Sequence, residues 1–161
     1  MTLRGDAEAL ESLPLKLIIV AVVASLSIVP AAEALDSMKT REFLRRAELQ
    51  LDRIGATAHI VAIEGPGSSR AVDLDFSSDS GLAFAKLAIG DGQNGENMSA
   101  IVLELTNGAR LVKLVENPPV WIRGPEDSGL VISSPKFGLR LTLSIVNSTY
   151  CVQAEVQPWI S

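Results

Sequence analysis

From Leu13 to Ala32 the chain runs for 20 residues with one charge, Lys16. At about 1.5 Å per residue such a helix spans roughly 30 Å, the thickness of a bilayer's hydrocarbon core. Lys16 sits at the edge, where its stem lies along apolar groups while its ammonium reaches the headgroups. Ser12 offers an N-cap, and Pro14 then falls in the first turn, where a missing N–H costs little. Pro30 predicts a kink or an interruption.

Beyond Pro30 the pattern turns amphipathic. Leu44, Ala47, Leu51, Ile54, Ala58 and Val61 recur at helical spacing and form one stripe. Arg41, Glu42, Arg45, Arg46, Glu48, Asp52 and Arg53 occupy much of the remaining surface, with Glu42 and Arg46 as a favourably oriented i,i+4 pair. Gly55 weakens this helix without ending it, and Gly65-Pro66-Gly67 stops it. The pattern predicts one long, kinked helix, apolar all round in its first half and amphipathic in its second.

From Arg70 the period becomes two. Asn107-Gly108 is a strong hairpin signal, and a two-residue turn there pairs Leu105 with Arg110, Leu103 with Val112 and Ile101 with Leu114. A second two-residue turn at Asn147-Ser148 pairs Ile145 with Tyr150, Leu143 with Val152, Leu141 with Ala154 and Leu139 with Val156, all apolar. Its other face pairs Thr142 with Gln153 and Arg140 with Glu155. Further strands are expected at Ala71–Phe76, Leu82–Ile89, Val120–Ile122 and Leu130–Ser133. The fold class is therefore α+β: a long N-terminal helix followed by an antiparallel β-sandwich or meander, with the helical stripe packed on one open sheet face.

Composition sharpens this. The chain has 161 residues, one domain plus an appended element, and its 47% hydrophobic content is concentrated near the N-terminus. A net charge of −5 with no groove-like basic cluster argues against nucleic acid. Cys151 is the one cysteine, so no internal disulfide forms, and a buried strand thiol is expected.

No catalytic set stands out, and neither an enzymatic activity, a cofactor, a metal nor a small-molecule substrate is expected. Gly90-Asp91-Gly92-Gln93-Asn94-Gly95 matches G-x-G-x-x-G, but a strand follows where dinucleotide binding needs a helix, so it reads as a turn. Gly65-Pro66-Gly67-Ser68-Ser69 lacks a P-loop lysine and reads as a rigid joint. Asp73, Asp75 and Asp79 lack EF-hand spacing and read as a solvated face. His59, the one histidine, cannot make a zinc site alone. Trp121 and Trp159, beside turn-like prolines, read as core or sheet-edge residues rather than a carbohydrate platform. Asn97-Met98-Ser99 and Asn147-Ser148-Thr149 are sequons in expected loops, so Asn97 and Asn147 are candidate glycosylation sites if the domain is exported.

The apolar run has three competing fates. Ala32-Glu33-Ala34 fits a secretory cleavage site, although Asp6, Glu8 and Glu11 outweigh Arg4 and Lys16 in the n-region. A plain anchor needs the apolar run alone. Met1-Thr2-Leu3-Arg4-Gly5 followed by Asp6 and Glu8 has the form of a prepilin-type leader: a short basic stretch, a glycine, then carboxylates and a helix. Lys39, Arg41, Arg45 and Arg46 follow the run, so lysine and arginine counts alone favour a cytoplasmic β domain; the leader and the sequons favour export, and export is the reading adopted.

MTLRGDAEALESLPLKLIIVAVVASLSIVP, an amphipathic helix, EGPGSSRAVDLDF and then strands together resemble the archaeal type IV pilin-like proteins with class III signal peptides. The resemblance covers residues 1–76 and extends to the β-rich remainder as a pattern. It implies a leader over residues 1–7, a helix over 8–64 with its transmembrane and assembly segment at 13–32, and an extracytoplasmic β domain over 65–161. It further implies cleavage by a prepilin-type signal peptidase around Arg4, Gly5 and Asp6. Cutting after Gly5 makes Glu8 third and Glu11 sixth in the mature chain; cutting after Asp6 makes Glu11 fifth. The subunit would sit in the cell membrane as a single pass and then join a homo-oligomeric or mixed surface filament. Glu8, Glu11 and Lys16 would be costly in an apolar helix bundle unless paired, and are expected to set its axial register.

Overall fold

The computed structural model describes residues 5–79, 81–90, 98–125, 129–146 and 148–159, with side chains from Lys16 onward apart from those at 26, 27 and 29. The first element, α1 (Gly5–Glu64), is a single α-helix of 60 residues. It starts earlier than the sequence pattern predicts. Ser12 therefore lies inside the helix rather than capping it, and Pro14 lies beyond the first turn. Pro30 does not interrupt it either. A proline removes one N–H from the ladder, and the helix continues on both sides of that gap.

The chain divides into two compact units, one up to Lys39 and one from Thr40 onward. The first is helical and exposes Leu17, Ile18, Ile19, Val20, Val22, Val23 and Ile28. In the second, the helical stripe is buried: Ala47, Leu51, Ile54, Ala58 and Val61 belong to the core, Leu44 is partly buried against it, and Phe43 joins them. Helix α1 ends where the glycines require it. Gly65 and Gly67 adopt φ of 97° and 87°, a left-handed conformation that terminates helices at little cost in glycine.

Eight strands follow: β1 (Ser69–Asp75), β2 (Phe84–Ile89), β3 (Ala100–Leu105), β4 (Arg110–Leu114), β5 (Ile122–Arg123), β6 (Leu130–Ile132), β7 (Lys136–Val146) and β8 (Thr149–Gln157). They form two four-stranded sheets, ordered β1-β7-β8-β5 and β4-β3-β2-β6. One apolar core draws on both sheets and on the α1 stripe, with Leu74, Leu139, Leu141 and Val152 from one sheet and Leu87, Ile89, Ile101 and Leu103 from the other. Phe76 stacks on Phe84 and Phe137 with ring centroids 5.6 and 6.1 Å apart. The pairing is antiparallel except for β5 on β8, which is parallel. The strand expected at Val120–Ile122 is thus displaced to Ile122–Arg123.

The two hairpins test register. The β7–β8 pairing matches expectation throughout: Leu139 faces Val156, Leu141 Ala154, Leu143 Val152, Ile145 Tyr150, Thr142 Gln153 and Arg140 Glu155. The β3–β4 pairing does not. Leu103 faces Leu111, Val102 faces Val112 and Ile101 faces Lys113. The loop holds three residues: Leu105 N–H donates to the Ala109 carbonyl at 2.9 Å, Gly108 N–H donates to the Leu105 carbonyl at 2.9 Å, and Gly108 has φ of 82°. A type I turn followed by a left-handed glycine adds one residue. That shift turns β4 over. Leu111 packs against the core, whereas Val112 and Leu114 point outward and are 60% and 45% exposed. Lys113 then reaches Asp52 on α1 at 2.5 Å.

Candidate functional site

Among the described residues, α1 is the one helix long and apolar enough to cross a membrane. Within its first unit the described large apolar side chains from Leu17 to Ile28 are exposed, whereas its later stripe is buried in the core. Inside the run the Ser25 hydroxyl donates to the Val22 carbonyl at 2.8 Å, and beyond it the Ser37 hydroxyl donates to the Ala34 carbonyl at 2.8 Å. Such back-bonding removes the cost of an unpaired hydroxyl in an apolar medium. Lys16 is exposed. Gly5, Asp6, Glu8 and Glu11 lie on the helix, but their side-chain surroundings fall outside the described residues, as does Arg4 entirely. Asn97 and Asn147 also lie outside the described residues.

Charge is arranged differently along the second unit. Cations on the strands are partnered. Lys86 and Arg110 both reach Glu104, at 3.3 and 3.4 Å, and Lys136 reaches Asp75 at 3.0 Å. Arg140 lies opposite Glu155 but contacts Gln157, whose amide, oriented with its oxygen toward Arg140, accepts at 2.8 Å. Arg70 pairs with Glu64 across the helix-to-strand joint, and its hydrogen bonds hold the Glu64 carboxyl below the usual range. Burial pushes the Asp75 carboxyl up. Hydrogen bonds from the Ser77 hydroxyl and N–H, with the Lys136 ammonium, outweigh that and hold it low. By contrast, exposed Arg41, Arg45 and Arg46 at the start of the second unit have no ion-pair partner among the described residues. The Glu42–Arg46 pair that the i,i+4 spacing predicts is not formed within ion-pair distance.

A cleft of about 520 Å³ opens where the end of α1, the Pro118-Pro119-Val120-Trp121 segment and the β7–β8 hairpin meet. Pro66, Trp121, Leu143 and Tyr150 are among its walls, and none of the described residues that line it is charged. Trp121 and Tyr150 remain 42% and 61% exposed, and the Asn117-Pro118 bond beside them is cis. Alternation alone assigns Tyr150 to the inward face of β8. Its exposure arises because Ile145 and Tyr150, at the hairpin end, extend past the core. Trp121 is a wall of this cleft as well as a neighbour of β5.

The remaining candidates have structural roles or stand apart. Cys151 is buried in β8. His59 is half-buried on α1. Asp73 and Asp75 lie on β1, where the Asp73 carbonyl accepts from Arg53 Nη1 at 3.3 Å. No group of three or more histidine, cysteine, aspartate or glutamate side chains is placed to hold a metal among the described residues. Gly90, first glycine of the G-x-G-x-x-G match, serves packing: a Cβ there would lie 2.3 Å from the Ile122 carbonyl oxygen. The rest of that match, 91–95, lies outside the described residues. No protein-family model, curated protein or solved structure matches this chain.

Proposed function

We propose that the chain is a structural subunit, a major or minor pilin-like protein, of an archaeal type IV pilus-like surface filament. One observation carries the reading: a helix whose first unit exposes a run of large apolar side chains continues into a stripe buried in a β domain. Leu17, Ile18, Ile19, Val20, Val22, Val23 and Ile28 each favour lipid by about 0.3–0.6 kcal/mol at a membrane centre, roughly 2–4 kcal/mol together. The same surface then suits a bundle of like helices. On this reading the protein has no catalytic activity and needs no cofactor. Its partners are the membrane, a prepilin-type signal peptidase and other pilin-like subunits, and its β domain lies outside the cell. Electron microscopy of cells producing the protein tests it: filaments carrying the chain are expected. Lys16→Glu is expected to abolish them, and unimpaired filaments in that variant would remove the assembly role of Lys16.

A second reading draws on the apolar cleft beside Trp121 and Tyr150. There the helix stays in the membrane, and the β domain acts as the binding module of a single-pass surface protein or accessory archaellum component. Absence of filaments, with the intact chain held in the membrane, favours it.

A further inference from the structure

We propose that Arg41, Arg45 and Arg46 form an anionic-lipid collar, recognising the headgroups of acidic phospholipids at the membrane surface beside the β domain. The proposal rests on the membrane-anchored reading above and adds a lipid class to it. Its ground is a contrast in charge pairing. Lys86, Arg110, Lys113 and Lys136 on the strands each have a carboxylate partner within 4 Å, whereas the three arginines, all exposed, have none among the described residues. Arg41 and Arg45 are four residues apart and share a face; Arg46 lies about 100° round from Arg45. Phe43 and Ala47 are buried in the domain core, so the arginines occupy the solvent side of these turns.

Distance along the helix fits the phosphate layer. Arg41 follows Ala32, the last residue of the apolar run, by nine positions, or about 13 Å of helix rise. Helical side chains lean toward the N-terminus, so its guanidinium reaches back to headgroup depth. Arg45 and Arg46 stand one turn further out, within about one Debye length of the surface. A guanidinium presents a planar fork that binds phosphate in bidentate fashion. Glu42 and Glu48, both exposed, oppose the attraction without cancelling it: from Lys39 to Glu48 four positive charges stand against two negative.

The test uses the full chain reconstituted in phosphatidylcholine vesicles containing phosphatidylglycerol. Flotation at high salt reports insertion. Spin-labelled phosphatidylglycerol and phosphatidylcholine report which lipid the protein holds at its boundary. Inserted protein is expected to prefer phosphatidylglycerol by about fivefold or more, the equivalent of one arginine at the surface. The preference is expected to fall to near unity in the Arg41→Gln/Arg45→Gln/Arg46→Gln variant and in 1 M salt, and to rise in Glu42→Gln. Thermal unfolding like that of the parent confirms that the triple variant is folded; if it is not, the parent's salt response and the Glu42→Gln variant carry the decision. Protein that fails to float overturns the anchored reading. Inserted protein without lipid preference overturns the collar alone, as does a folded triple variant that keeps the parent's preference for phosphatidylglycerol.

Discussion

Replacing Gly90 with alanine separates two costs that glycine avoids. Gly90 has φ of 62°, and its N–H donates to the Ala100 carbonyl at 3.0 Å. A left-handed conformation costs a non-glycine residue about 1–2 kcal/mol. The added Cβ would also lie 2.3 Å from the Ile122 carbonyl oxygen, so backbone must move by about 0.7 Å or more to reach a tolerable contact. Ile122 is not free to give way: its N–H donates to the Met98 carbonyl at 2.7 Å, and β5 is paired to β8. Overpacking of this kind adds about 1–3 kcal/mol, for a total of about 2–5 kcal/mol. Gly108 supplies the control. It has φ of 82° and nothing within 4 Å of its Cβ position, so Gly108→Ala carries the conformational cost alone, about 1–2 kcal/mol. At about 4 °C per kcal/mol, Gly90→Ala should melt about 4–12 °C below Gly108→Ala. Thermal unfolding of the full chain in detergent micelles, followed by tryptophan fluorescence, measures this, since Trp121 adjoins Ile122. Equal shifts would refute the close approach between Gly90 and β5.

Three other outcomes follow from the packing and charges. Ile54→Ala removes a fully buried stripe residue and should cost about 2–5 kcal/mol in urea unfolding; a loss below about 1 kcal/mol would mean that the stripe is not part of the core. Leu111→Lys should destabilise the β domain while Val112→Lys is tolerated; the opposite order would restore the two-residue turn. Asp75 is held below its usual range, so its contribution is present above the unfolded carboxylate pKa and is lost as pH falls through the lower folded value. Asp75→Asn should therefore cost no more than about 1 kcal/mol at neutral pH, given the exposure of its pair with Lys136, and its stability curve should converge on the parent's in acid.

The parts legible from sequence were those governed by one strong local signal. The apolar run, the stripe from Ala47 to Val61 and the Gly65-Pro66-Gly67 stop each follow from periodicity or from glycine's φ freedom. The β7–β8 register follows because every inward pair is apolar over a long hairpin, which makes a one-residue slip expensive. The β3–β4 hairpin lacks that safeguard. Leu111, Val112 and Leu114 offer apolar residues to both faces, so the loop decides, and Asn107-Gly108 suits either a two-residue turn or a three-residue turn with a bulge. The role of Gly90 depends on Ile122, 32 residues away in sequence, and no local pattern reports such an approach. The cleft was hidden for the same reason: Pro66, Trp121 and Tyr150 meet only through tertiary structure.

The central claim is that the apolar half of α1 is retained as the working part of an assembled, exported subunit. Sequencing the N-terminus of the mature protein from its native membrane tests it most directly. The account predicts Asp6 or Ala7, the product of prepilin-type cleavage. A mature chain beginning at Leu35 would mean that the apolar run is discarded as a secretory signal, and one beginning at Met1 or Thr2 would leave a plain anchor; either result contradicts the account.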